Sequence, residues 1–386
     1  MSMKIGVIGA GRLGICFALL CEAAGYDVLV SDIREEYVQK LNERKIDTNE
    51  PEVENLLRVA KNFRATTNNK EVIDECDLIY TLVATPSLPD GSYDVSSVWQ
   101  VVEDFKDVSK TKYFVVGCTT NPGDCDNFKK QLPSNVKVFY NPEFIAQGSI
   151  ISDLRTADMV LLGTDPFSND DLIIANIRKL YEKIQTTRAI VCSMSTTAAE
   201  ITKIAINCFL TTKISYANML GDVLHHAGCG DEVNTVLSAV GTDSRVGRKY
   251  LGYGFGYGGP CLPRDNRSFA AFAKKVGLDY NLGTVTDEIN NQHATFVCEY
   301  FEKMNQNKNP FYFDSISYKI GTDILTESQQ YRLCLDLLNR GYKVYIRNDQ
   351  KAVSQVEDEL REKYGDRVCI VDDSSYITEP IFVVTL

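Results

Sequence analysis

The chain has little histidine and no paired cysteine motif. Among 386 residues there are three histidines, His225, His226 and His293, and none stands at zinc-finger spacing from a cysteine. The twelve cysteines are scattered and form no CxxC. A structural zinc site is therefore not expected, and no metal is called. Scattered cysteines read as small buried hydrophobes of a reducing compartment. No apolar run reaches the ~18 residues of a spanning helix. The N-terminal MSMKIGVIGAGRLG passes from an apolar run into a glycine-rich turn without a small-residue cleavage site. Positive charge is in deficit too, with 41 Lys plus Arg against 52 Asp plus Glu, a net −11. That balance argues against tracking a nucleic-acid backbone or an anionic membrane. A cytoplasmic protein is expected.

What is present is ordinary globular composition, 44% hydrophobic and 24% charged, enough for two or three domains. The first half alternates short apolar runs with helical patterns: KIGVIG, DVLVSD, DLIYTLVAT, KYFVVGC, VKVFYNP, DMVLLGT and AIVCS are the strands. This alternation predicts a doubly wound parallel sheet of the Rossmann type over 1–194. From Ser195, apolar residues recur at helical spacing with no Gly or Pro until Gly221. An all-helical middle domain with a long helix is expected over 195–305. A helix of that length usually buries a face on something, and a dimer partner is one candidate. Strand–helix alternation returns over 306–386, predicting a smaller second α/β unit.

Gly9, Gly11 and Gly14 spell GxGxxG between the first strand and first helix. Such glycines allow a tight turn, close approach of a pyrophosphate and close helix–sheet packing, with the helix N-terminus facing the phosphates. Asp32 closes the second strand, where a carboxylate can bond a ribose 2′-OH and repel a 2′-phosphate. NAD is favoured over NADP, although Arg34 two residues on blurs the distinction; a solvated charge at a helix start is the plainer account of it. In GFGYGGPCLPRD, Cys261 sits in a glycine-dense segment stiffened by prolines, ending at Asp265. It is a candidate nucleophile, against the alternative of a buried structural thiol. Glu200, Lys203 and Asn207 share one helix face, where the lysine and the amide could donate to an oxyanion or the three merely form an exposed polar stripe; spacing alone favours the stripe. Glu143 follows a strand end, as a general base or a helix-start charge.

Taken in order, these stretches resemble the UDP-glucose/GDP-mannose dehydrogenase family. The matching segments are GAGRLG, VATP with Thr85, CTTNPGD with Thr119, NPEFIAQGS, AEITKIAINCF, GTDSRVG, GYGGPCLPRD and SYKIGTD…TES. The loop is similar to the UDP-glucose 6-dehydrogenase branch; N-acetyl-hexosamine dehydrogenases carry a His where Pro260 stands. The resemblance implies a four-electron oxidation of a nucleotide sugar's C6 alcohol with two NAD, serving polysaccharide biosynthesis. That chemistry needs a thiol: an aldehyde gives up a second hydride only from a tetrahedral adduct, here a thiohemiacetal on Cys261, which becomes a thioester. Further implied roles are oxyanion stabilisation by Lys203 and Asn207, and positioning of water and Lys203 by Asp265 and Thr119. Glu143 would activate the hydrolytic water, next to Phe144 on the substrate side. Thr85 and Thr119 would contact NAD. Tyr250, Tyr257, Gly258 and Lys319 would meet the substrate, and Arg245 would reach a neighbouring subunit's substrate in a homodimer.

Gln147 replaces a second acid frequent in the family, Thr326 an arginine near the cofactor, and Met219 a glutamate. Relatives typically add a helix and strand beyond PIFVVTL. Rival readings are a two-electron β-hydroxyacid dehydrogenase, a non-catalytic NAD or nucleotide-sugar sensor, and GDP-mannose as the substrate.

Overall fold

The structure, a computed structural model, describes residues 3–165, 171–319 and 321–386. Two compact units divide at Ile204/Ala205. In the first, eight strands are described: β1 (Lys4–Ile8), β2 (Asp27–Ser31), β3 (Phe63–Thr66), β4 (Leu78–Thr81), β5 (Lys112–Val116), β6 (Val136–Tyr140), β7 (Met159–Thr164) and β8 (Ile190–Ser195). They form one sheet in the order β3-β2-β1-β4-β5-β6-β7-β8. β1 pairs in parallel with both β2 and β4, so the strand order reverses between β1 and β4. In open α/β sheets that reversal opens a crevice beyond the strand C-termini. The sheet is not wholly parallel as expected: β7 meets β6 antiparallel at Tyr140↔Gly163.

Apolar side chains cover both faces. One layer carries Phe17, Leu20 and Tyr181, the other Val98, Phe105 and Phe128, all buried. Burial on both sides is why these strands read as continuous apolar runs rather than alternating ones. β3 escaped the sequence pattern because it is a four-residue edge strand, FRAT, with Arg64 exposed.

The second unit holds most of the 31-residue helix Thr196–His226, the helices Val233–Thr242, Leu262–Lys275 and Leu282–Met304, and a small sheet. Its strands are β9 (Phe311–Phe313), β10 (Val344–Arg347), β11 (Val368–Val371) and β12 (Phe382–Val383), parallel in the order β11-β10-β9-β12. Val297, Cys298 and Phe301 of the helix Leu282–Met304 share a core with Phe311, Leu337 and Val344. Two short helices, Gln350–Val353 and Glu357–Tyr364, lie between β10 and β11. Among the described residues, no helix is long and apolar enough to cross a membrane.

Candidate active site

In the first unit, the candidate residues gather along one edge of the sheet. Gly9 follows β1, Asp32 β2, Thr85 β4, Thr119 β5 and Glu143 β6, each just past the strand's C-terminal end. Because these five strands run parallel, their carboxyl ends face the same way.

The glycine turn fits a dinucleotide. Gly9 has φ +94°, and a Cβ there would lie 2.7 Å from the Leu82 carbonyl oxygen. A Cβ on Gly14 would come within 1.9 Å of the Gly9 oxygen, so only glycine lets the helix Arg12–Ala23 start this close to β1. Gly11, the N-cap of that helix, has nothing within 4 Å of its would-be Cβ. That open space lies at the helix N-terminus, where unpaired N–H groups and the dipole favour phosphate. Arg12 Nη1 donates to Gln147 Oε1 at 2.5 Å, so an amide stands where a second acid is frequent.

Asp32 and Arg34 are paired. Arg34 Nε donates to Asp32 Oδ1 at 2.8 Å and Nη2 to Oδ2 at 2.9 Å, with the guanidinium 4.2 Å over the Tyr37 ring. Burial raises the Asp32 carboxyl, but the Arg34 bonds and the Ala10 N–H outweigh it, leaving it below the usual range. An anionic Asp32 at the end of β2 is the group that accepts from a ribose hydroxyl.

Glu143 is part-buried and bonded by the Tyr181 hydroxyl. Burial pushes its carboxyl up to about 7, against the Tyr181 hydrogen bond and the Lys203 charge that pull it down. Lys203 is 8% exposed; its Nζ donates to the Glu143 carbonyl at 2.5 Å and lies 4.5 Å over the Phe144 ring. The exposed polar stripe favoured by spacing is thereby overturned. Glu200 is fully buried, accepting from Gly123 N at 2.6 Å, Cys125 N at 2.9 Å and the Thr120 hydroxyl at 2.9 Å. It thus caps the helix Asp124–Gln131 from outside, and its burial drives its carboxyl up to about 7 in spite of those donors. Replacing Glu200 by Gln turns an NH2 or a weaker acceptor towards those N–H groups. The first unit should lose ~1–3 kcal/mol of stability, read from urea unfolding; an unchanged midpoint would remove Glu200 from this role.

In the second unit, Cys261 is the N-cap of the helix Leu262–Lys275. This corrects the expectation of a stiffened segment through Asp265: the helix begins inside the motif, at Leu262. Pro263 fits there because a first-turn residue needs no N–H. Asp265, 1% exposed, accepts from Asn207 Nδ2 at 2.6 Å and from Arg264 Nε at 3.4 Å. Asn207 is thereby oriented by a buried carboxylate.

The expected substrate residues are spread over the second unit. Tyr257 is 3% exposed; its hydroxyl donates to Asp287 at 2.9 Å, its backbone N–H to Asn290 Oδ1 at 2.9 Å, and its carbonyl accepts from Asn290 Nδ2 at 3.1 Å. A Cβ on Gly258 would meet the Glu327 carbonyl oxygen at 2.2 Å. Tyr250 is exposed with φ +60°, and Lys319 is exposed. Arg245 is exposed and held by Asp243, Nη2 to Oδ2 at 2.7 Å. Thr326 precedes Glu327, which pairs with Arg267 at 2.7 Å, and Ser328, which caps the helix Gln329–Asn339. Met219 is partly exposed on the long helix.

Two groups were invisible in the sequence. Tyr181, in the last turn of the helix Asp171–Ile184, carries no motif, yet its hydroxyl touches Glu143. His293 accepts no motif either, but Nδ1 lies 2.8 Å from Asp222 Oδ2 and Nε2 2.7 Å from the Gly254 oxygen, fastening the glycine-rich segment before Cys261. Among the described residues, no cluster of three or more His, Cys, Asp or Glu is arranged to hold a metal.

Comparison with known proteins agrees with this layout. Residues 3–185 match the UDP-glucose/GDP-mannose dehydrogenase family, NAD binding domain, and residues 197–292 its central domain. A UDP-glucose 6-dehydrogenase of Haloferax volcanii is 28% identical over 358 residues, 89% of this chain and 82% of that protein. A solved UDP-glucose dehydrogenase from Pyrobaculum islandicum superposes with TM-score 0.85 at 26% identity, covering 97% of this chain and 87% of that one. A UDP-D-ManNAc dehydrogenase from Pyrococcus horikoshii shares the fold, with TM-score 0.76 at 22% identity and 99% of both chains covered. The chain belongs to the UDP-glucose/GDP-mannose dehydrogenase family, with that family's NAD-binding domain, and is a nucleotide-sugar dehydrogenase.

Proposed function

We propose that this chain oxidises the C6 alcohol of UDP-glucose to the carboxylate through a thioester on Cys261. The observation that carries the reading is Cys261 at a helix N-terminus, one turn before a buried Asp265 that orients Asn207. A two-electron dehydrogenase has no use for a nucleophile placed there. The positive end of a helix favours negative charge, which suits a thiolate.

NAD would be held by the Gly9–Gly14 turn, Asp32, Thr85 and Thr119, with Arg34 beside the ribose site, and would supply a hydride acceptor once per oxidation. In the first oxidation, Lys203 as its neutral amine takes the alcohol proton while the C6 hydride leaves, giving the aldehyde and the Lys203 ammonium. The Cys261 sulfur then adds to the aldehyde carbon, and the resulting oxyanion is stabilised by Lys203 and Asn207. Loss of the second hydride leaves the thioester. Glu143 removes a proton from water; the new C–O bond forms, the C–S bond breaks and the thiolate leaves. A base whose carboxyl ionises at about 7 is matched to neutral pH. Thr119 and Asp265 position the water and Lys203. Phe144, Tyr250, Tyr257, Gly258 and Lys319 contribute to the sugar-nucleotide site.

UDP-glucose is preferred over N-acetyl-hexosamine nucleotides because Pro260 precedes the cysteine, and over GDP-mannose because of the names of the Haloferax and Pyrobaculum proteins. The test is a panel of nucleotide sugars read by NADH absorbance. Two NADH per UDP-glucose are expected; one would favour a β-hydroxyacid-type oxidation and none a binding protein.

We also retain the three-part division at 194 and 305, with the long helix pairing two subunits of a cytoplasmic homodimer. In support, Phe209, Tyr216, Met219 and Val223 are exposed at helical spacing along it. Arg245, 87% exposed, is then free to reach the neighbour's substrate. Co-expressed Cys261→Ser and Arg245→Ala chains, each inactive alone, should recover about a quarter of wild-type activity by statistical pairing. No recovery would confine Arg245 to its own subunit.

A further inference from the structure

Tyr181 is 3% exposed, and its single hydroxyl hydrogen has two acceptors, a Glu143 carboxylate oxygen and Asn141 Oδ1 at 2.8 Å. Asn141, 1% exposed, cannot turn to offer its NH2 instead. Its Nδ2 is committed to the Leu161 carbonyl at 2.9 Å, and its Oδ1 also receives the Tyr80 hydroxyl at 3.1 Å. The arrangement is satisfied in both protonation states of Glu143. When Glu143 is ionised, Tyr181 donates to it. When Glu143 holds a proton, the acid donates to the Tyr181 oxygen, and the hydroxyl hydrogen swings to Asn141. The Tyr181 hydroxyl and the Glu143 oxygen it meets keep a partner in either state, which is what a buried proton acceptor requires.

From this geometry we infer that Tyr181 is a positioning residue for Glu143, holding one carboxylate oxygen so that the other faces the water, and reversing its own hydrogen bond as the proton arrives. The inference rests on Glu143 being the base of thioester hydrolysis. The atom balance is that of the hydrolytic step: the proton leaves water for Glu143, hydroxide joins the acyl carbon, and the thiolate departs. The other ionisable groups facing Glu143 are Lys203, Tyr80 and Cys21. Lys203 favours the anion. Tyr80 and Cys21 are buried and neutral, with burial raising both. Removing the Tyr181 hydroxyl therefore removes a donor that favours ionised Glu143 and leaves burial less opposed.

In Tyr181→Phe, the acidic limb of thioester hydrolysis should move up by about one pH unit, the worth of one hydrogen bond to a charged group. The initial NADH burst should stay as in wild type, and hydrolysis at high pH should return to within a few fold. Tyr80→Phe removes a hydroxyl that bonds Asn141 and Tyr181 but not Glu143, and should move the limb far less than Tyr181→Phe. If Tyr181→Phe fails to fold, 3-fluorotyrosine at position 181, a stronger donor, should move the limb towards acid. A rate lowered equally at every pH, or an unmoved limb, overturns the inference. An infrared titration of the protonated carboxyl band, assigned by its loss in Glu143→Gln, needs no substrate. It separates failure of this inference from failure of the proposed function: the band should titrate at higher pH in Tyr181→Phe, and equal titration overturns the role of Tyr181 whatever the enzyme oxidises.

Discussion

Replacing Cys261 by serine should lower carboxylate formation by at least ~10³-fold, a loss of about 4 kcal/mol of transition-state stabilisation. A hydroxyl is a far weaker nucleophile than a thiolate at neutral pH, so an oxygen ester would form slowly and persist. Misfolding should not confuse the result. Cys261 is the N-cap of the helix Leu262–Lys275, and serine is a preferred residue at that position. Denatured mass spectrometry of enzyme mixed with UDP-glucose and NAD should show the chain heavier by one acyl sugar nucleotide. Near-normal carboxylate production by Cys261→Ser would remove the covalent route and leave a two-electron enzyme.

Glu143→Gln should slow thioester hydrolysis by roughly 10²–10⁴-fold, the usual contribution of a general base, and spare both hydride transfers. Stopped-flow absorbance should then show a burst of NADH followed by a slow steady state. The Gln amide oxygen can still accept from Tyr181, so the local packing survives. In wild type, hydrolysis should rise with pH through about 7 as Glu143 ionises, and that limb should vanish in the variant. The folding consequence has the opposite sense. A carboxyl raised by burial from about 4.5 to about 7 gives stability that is whole below the lower value and is lost as pH rises through the upper one. Wild type should therefore lose stability relative to Glu143→Gln over that window. Absence of a burst, with the first hydride itself slowed, would reassign Glu143 to holding the substrate.

The sequence by itself determined the sheet, the glycine turn and the candidate residues that sit at strand ends. Those features are local: continuous apolar runs record burial on both faces of a strand, and GxGxxG records two backbone approaches, at Gly9 and Gly14, that no Cβ permits. Asp32 and Glu143 were legible because each follows an apolar run that ends in a turn, whereas Thr85 and Thr119 were named only through the family resemblance. The start of the cysteine helix was misread because prolines mark both stiff loops and first helical turns, and only the backbone separates the two. What tertiary structure alone decided is which polar groups are buried and whom they meet. Glu200, Lys203 and Asn207 share a helix face in the sequence, yet Glu200 caps a distant helix, Lys203 holds the Glu143 carbonyl and Asn207 meets Asp265. Tyr181 reaches Glu143 across 38 residues of chain and His293 reaches Asp222 across 71, with no spacing to announce either. Burial and long-range hydrogen bonds set the proton chemistry of such groups, and neither is a property of neighbouring residues in the chain.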